Sequence, residues 1–222
     1  MTEAEWLTRN EPVQMLRSLH GRATDRQYRL FAAACARDEL QQANKTQSCF
    51  NFGRIGDEYR QLFWDPLRGY EAAIKQSEAW ADGSPVQGIA FSIWFVGWKK
   101  GIDSVADIAY AAFGYDPDGL VEISPEIIAK TIQGYQTNPA HYLRDIFGNP
   151  FCPVTFDLAW LTSTVASLAQ QMYDSRDFSV MPILADALQD AGCDNEDILN
   201  HCRQPGEHVR GCWVVDLVLD KT

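Results

Sequence analysis

Short polar residues set directly before proline punctuate this chain, and they constrain its fold more than any other feature. Proline cannot donate a backbone hydrogen bond, and its fixed φ suits the first helical position. The polar residue ahead of it can cap the helix. Asp65-Pro66 predicts a helix running to about Ala81, stopped by Asp82-Gly83. Ser124-Pro125 opens Glu126–Gln133, with Gly134 as the stop, and Asn138-Pro139 opens Ala140–Phe147, ended by Gly148-Asn149-Pro150. Thr24-x-x-Gln27 is a capping box, and the helix it opens places Tyr28, Phe31 and Cys35 on one face. Pro182 starts a stretch in which Leu184, Ala187, Leu188 and Ala191 share a face, closed by Gly192. Asp194 or Asn195 then caps Glu196–Arg203, and Pro205-Gly206 ends that helix.

Period-two patterns are scarce. The tail Cys212–Leu219 is the one serious strand candidate, because Trp213-Val214-Val215 favours a strand. Read as a helix it aligns Val209, Trp213 and Leu217 in one stripe, and the helical neighbours favour that reading. Asn44–Gly56 reads as a loop and Tyr115–Gly119 as a turn cluster. The expectation is an all-α, compact multi-helix array. It forms a single helical domain over 1–222, or an N-terminal layer 1–114 and a C-terminal subdomain 120–222.

Composition narrows the function classes. The most apolar window, Val86–Trp98, contains Gln87 and Ser92 and is shorter than the roughly 20 apolar residues of a membrane span, so it reads as a buried core helix. The seven Trp are spread along the chain and read as core anchors. No basic n-region or apolar signal segment opens the chain, so the expected compartment is the cytoplasm and the six Cys are expected as thiols or ligands. The net charge of −11 is uneven. Residues 1–111 carry 14 acids against 13 bases, whereas residues 112–222 carry 16 against 6. A phosphate backbone would be repelled, which argues against nucleic acid; a protein partner, if basic, would suit this surface.

The densest chemistry lies in residues 193–212, CDNEDILNHCRQPGEHVRGC, which hold three of the six Cys and two of the four His. Cys193, His201, Cys202, His208 and Cys212 are candidate zinc ligands, since zinc favours thiolate and imidazole in a tetrahedral set. His208-x-x-x-Cys212 would share a face if helical. His201 and Cys202 point about 100° apart on a helix, so only one of them joins. There is no Cys-x-x-Cys, and the alternative is that the three Cys are small buried hydrophobes. A Cys212–His208–Asp216 nucleophile set can also be drawn, but on one short helix it lacks the geometry of a triad. Among the acids Asp186, Asp190, Asp194, Glu196 and Asp197, the stretch DNEDIL does not match a calcium loop, and Asp190–Asp197 reads as a turn plus an acid-rich helix N-terminus. Phe147, Asn149 and Phe151, in a segment with exposed-looking aromatics, are candidates for a binding loop.

Four segments carry a resemblance: TEAEWL at 2–7, RLFAAACAR at 29–37, LRDIFGNPFCPVTFDLAWL at 143–161, and the tail LADALQDAGCDNEDILNHCRQPGEHVRGCWVVDLVLDK at 184–221. In these the chain resembles an uncharacterised bacterial family expanded in planctomycetes. The resemblance implies that the C-terminal block is a family hallmark. That family has no established activity, so no catalytic residue is carried over. Similar chains have a second Cys beside Cys35, where this one has Ala36, which speaks against a site on Cys35. The leading functional expectation is a non-enzymatic interaction or adaptor protein. The alternative is a helical module with a structural zinc at 193–212, and a Cys- or metal-dependent enzyme stands third.

Overall fold

The computed structural model describes residues 1–46, 66–84, 115–116, 119–120, 125–132 and 138–221. The fold is all-α, as the punctuation predicts, and the chain divides into two compact units. One is Pro12–Pro139; the other joins Met1–Glu11 to Ala140–Thr222.

After α1 (Glu3–Thr8), which belongs to the second unit, the first unit runs through α2 (Pro12–Ser18), α3 (Asp25–Thr46) and α4 (Pro66–Ala81). The capping box at the start of α3 forms as expected. Thr24 N–H donates to Gln27 Oε1 at 3.0 Å, and Gln27 N–H donates to Thr24 Oγ1 at 3.3 Å. Tyr28, Phe31 and Cys35 are buried, and α4 packs along α3. Charged pairs border that contact: Arg37 to Glu78 at 2.8 Å and Arg26 to Asp82 at 3.2 Å, with the Arg29 guanidinium 3.6 Å over the Trp80 ring. Gly83, at φ +84°, stops α4. Helix α5 (Pro125–Thr131) packs on α2. The turn cluster at 115–119 is bracketed by a two-residue antiparallel pair, β1 (Tyr115–Asp116) and β2 (Gly119–Leu120). Helix α3 continues to Thr46, past the expected loop start at Asn44. The rest of that loop, and the expected core helix Val86–Trp98, lie outside the described residues. No helix among the described residues is long and apolar enough to cross a membrane.

The second unit holds α1 (Glu3–Thr8), α6 (Ala140–Phe147), α7 (Ser163–Ser175), α8 (Met181–Asp190), α9 (Glu196–Arg203) and α10 (Trp213–Val218). Its four C-terminal helices share one hydrophobic cluster. Val165, Ala169, Met172 and Tyr173 of α7 meet Met181, Leu184, Ala185 and Leu188 of α8, together with Ile198 and Leu199 of α9 and Val214, Val215 and Val218 of α10. The spacing is that of one apolar helical stripe per element. Helix α7 carries a quarter of this core without the proline device. Its start is marked by Thr162, whose side chain accepts the Val165 N–H at 3.3 Å.

The tail is a helix, so the strand alternative is set aside. Its buried face is Val214, Val215, Asp216 and Val218, while Trp213 and Leu217 are only partly covered. The expected Val209–Trp213–Leu217 stripe fails because Val209 precedes the helix. Helix α8 ends in a Schellman motif. Gly192, at φ +93°, lets its N–H reach Gln189 O at 2.9 Å and the Cys193 N–H reach Leu188 O at 2.9 Å. Cys193 is therefore the apolar residue that closes a helix end against the core.

Candidate metal centre

Four side chains from three parts of the second unit converge: Asp145, His201, His208 and Cys212. One ligand atom from each lies within 4.8 Å of all the others, and the group could hold a metal ion. Asp145 comes from α6, where the sequence Tyr142-x-x-Asp145-Ile146 sets an acid into a buried stripe. His201 stands in the last turn of α9. That helix is fixed at its start by Asn195, whose side chain accepts the Ile198 N–H at 3.1 Å. His208 and Cys212 come from the connection between α9 and α10. It is not helical, so the condition under which the i, i+4 spacing would give these two a shared helix face is not met. Pro205-Gly206 ends α9, and a turn follows in which Cys212 N–H donates to Val209 O at 2.9 Å with Gly211 at φ +96°. A third turn residue at positive φ requires glycine. The turn, not a helix repeat, brings His208 and Cys212 together.

The contacts are close. His208 Nδ1 lies 2.6 Å from Asp145 Oδ1, and His201 Nε2 lies 3.2 Å from the same oxygen. Cys212 Sγ lies 3.2 Å from His201 Nε2 and 3.8 Å from His208 Nδ1. The other Asp145 oxygen, Oδ2, accepts the Val209 N–H at 2.9 Å, which leaves Oδ1 turned towards the imidazoles. Asp145, His201 and Cys212 are 8% exposed or less, and the His208 side chain is 7% exposed. Aromatic rings wall the group: Trp213 stands 5.0 Å from the His201 ring and Phe178 stands 6.4 Å from the His208 ring.

These distances do not fit a proton relay and are compatible with a group that could hold a metal ion. In a Cys–His–Asp relay the acid meets one imidazole nitrogen and the nucleophile meets the other. Here the carboxylate and the sulfur face the same nitrogen of each His, so four donors aim at one point. Zinc–ligand bonds of about 2.0–2.3 Å set the corners of a tetrahedron about 3.4–3.6 Å apart. The observed separations reach that geometry with movements of about 1 Å or less.

Electrostatics agree. Burial pushes the Asp145 carboxyl up, but hydrogen bonds from His201 and His208 outweigh it and hold the group below the usual carboxylate range. Burial, and then the Asp145 charge, push the Cys212 thiol well above its ordinary value. The Val215 and Val214 amides at the start of α10 favour the thiolate and only partly offset this. A thiol so buried is no nucleophile by itself. Behind His201, the Gln204 side-chain amide stands 3.4 Å from Nδ1. With its oxygen turned inward it can accept the Nδ1 proton and leave the Nε2 lone pair free for a metal.

Of the five sequence candidates, His201, His208 and Cys212 meet. Cys193 and Cys202 do not: both lie in the apolar core, where burial pushes the Cys202 thiol up to about 12. Cys202 follows His201 on α9, and the helical turn that aims one at the site aims the other into the core. The acid that meets the pair is Asp145, not Asp216. Asp145 lies 63 residues from His208, and the readable trace was an acid within the apolar stripe of α6. The binding-loop candidates are tied into the unit itself. Phe147 is buried rather than exposed, because α6 is covered on six of its eight positions. Asn149 accepts the Phe151 N–H at 3.0 Å and donates to Glu3 at 2.7 Å, while Phe151 is half-buried. No family model, curated protein or solved structure matches the chain.

Proposed function

We propose that this protein is a zinc-stabilised helical module, with one ion held by Asp145, His201, His208 and Cys212 as a structural centre. The observation that carries the reading is the convergence of one carboxylate oxygen, two imidazole nitrogens and one thiol sulfur on a single buried point. Charge supports it. A divalent ion with one carboxylate, one thiolate and two neutral imidazoles sums to zero, which a buried site requires. Softness supports zinc: mixed nitrogen, sulfur and oxygen donors suit it better than magnesium or calcium, which take oxygen. Four protein donors fill a tetrahedron and leave no position for substrate, which favours a structural role over a catalytic one.

The block on which the family resemblance rests is also the block that supplies the donors. LRDIF carries Asp145, and the tail carries the other three. The interaction reading has no comparable observation behind it. Elemental analysis of the full chain, purified without chelator, tests the proposal. About one equivalent of zinc is expected. A protein that is folded and metal-free, or one that carries a different ion, sinks it.

A further inference from the structure

The helix that carries the carboxylate also holds the N-terminal segment. Arg144, next to Asp145, donates through Nε and Nη2 to Trp6 O at 3.0 and 2.8 Å, through Nη2 to Arg9 O, and through Nη1 to Asn10 Oδ1 at 3.3 Å. These acceptors cluster at the C-terminal end of α1, where helix carbonyls lack partners of their own. From the other side, the buried Trp6 indole donates to Gly148 O at 2.9 Å.

Gly148 ends α6 and lies flat against Trp213: a Cβ there would stand 3.2 Å from the Trp213 ring. Trp213 directly follows Cys212, and its ring packs on His201. The residue whose carbonyl takes the Trp6 indole therefore ends the helix that carries Asp145 and lies against Trp213, the residue after Cys212.

We infer that metal loading and docking of the N-terminal segment Met1–Glu11 are coupled. The inference rests on the zinc reading and concerns regulation of that same centre. An ion binding Asp145 and Cys212 at once pins α6 to the α9–α10 turn. Arg144 and Gly148 both sit at the end of α6, so an ion that fixes this helix end against Trp213 also fixes the seat that α1 occupies. Without the ion, the two elements are joined only by packing and hydrogen bonds, and the segment loses its fixed seat. Linkage makes the effect reciprocal: a docked segment must tighten the hold on the ion by the same factor that the ion tightens docking.

Hydrogen exchange of the full chain, read on residues 1–9 and on 196–218, tests this. Stripping zinc with a chelator is expected to speed exchange in residues 1–9 by on the order of tenfold. Arg144→Gln leaves every ligand in place. It is expected to keep one zinc and the protection of 196–218, to free residues 1–9, and to give up zinc at on the order of tenfold lower chelator. If Arg144→Gln does not fold, Trp6→Phe removes only the indole hydrogen bond and is read in the same way. If stripping loosens the whole unit, chelator competition on the variants decides. A zinc-loaded protein whose residues 1–9 exchange alike with and without the ion overturns the coupling and leaves the zinc reading standing. So do variants that hold zinc as tightly as the parent. A protein that binds no zinc overturns both.

Discussion

Asp145→Asn keeps the volume of the side chain and removes its charge. The amide oxygen can still accept the Val209 N–H, which Asp145 Oδ2 now takes at 2.9 Å. What is lost is the anion 2.6 Å from His208 and 3.2 Å from His201. With zinc and the Cys212 thiolate in place, the variant site carries one uncompensated positive charge at a residue 4% exposed. Removing one partner of a buried charge pair costs about 3–5 kcal/mol. At 1.4 kcal/mol per decade, zinc should bind about a hundredfold to several thousandfold more weakly. Competition against a zinc-chelating dye reads this directly. Denaturant unfolding with and without chelator supplies the second arm. Free zinc at a thousand times its dissociation constant stabilises the folded parent by about 4 kcal/mol, and the variant by about 0.1–1.4 kcal/mol at the same free zinc. The parent should therefore lose about 4 kcal/mol on adding chelator and the variant no more than about 1.4 kcal/mol. Equal zinc affinity in the two proteins would refute Asp145 as a ligand. A parent indifferent to chelator, with Asp145→Asn destabilised all the same, would show a hydrogen-bonded network without an ion.

Burial and the Asp145 charge keep the Cys212 thiol protonated at pH 7 in the metal-free protein. Loading zinc should then release at least one proton, and zinc affinity should rise about tenfold per pH unit from this group alone. A pH-indicator titration in weak buffer checks it, and undiminished release from Cys212→Ala would contradict it. Gly148→Ala forces a left-handed φ of +59° on alanine and drives its Cβ to 3.2 Å from Trp213. A loss of about 2–4 kcal/mol is expected in urea unfolding, and a change below about 0.5 kcal/mol would refute the contact. Cys193→Ala and Cys202→Ala should each cost about 1 kcal/mol of stability and leave zinc stoichiometry unchanged; loss of the metal in either would place that thiol in the centre.

Local devices were legible in the sequence wherever the physics is local. The Thr24–Gln27 box, the Asn195 cap, the proline starts of α4, α5 and α6, and the glycine stops at 83, 148 and 192 all involve groups within a few residues of one another. Three of the four converging residues are readable for the same reason: His201, His208 and Cys212 lie within 12 residues. What escaped depends on tertiary approach. Asp145 is one of many acids, and only the packing of α6 against the α9–α10 turn selects it. Cys193 and Cys202 have the right chemistry for a ligand, but a Schellman closure and a helix face turn them into the core. The i, i+4 spacing of His208 and Cys212 would bring them together on a helix, but Gly211 at φ +96° makes a turn that serves the same end. Helix α1 docks across 138 residues of sequence through Arg144, and no local pattern announces it.

Zinc K-edge X-ray absorption on the full chain tests the central claim most directly, because it counts the atoms bound to the metal. The account predicts four ligands, one sulfur at about 2.3 Å and three nitrogen or oxygen atoms at about 2.0–2.2 Å. Two sulfurs, or a shell of six light atoms without sulfur, would contradict it.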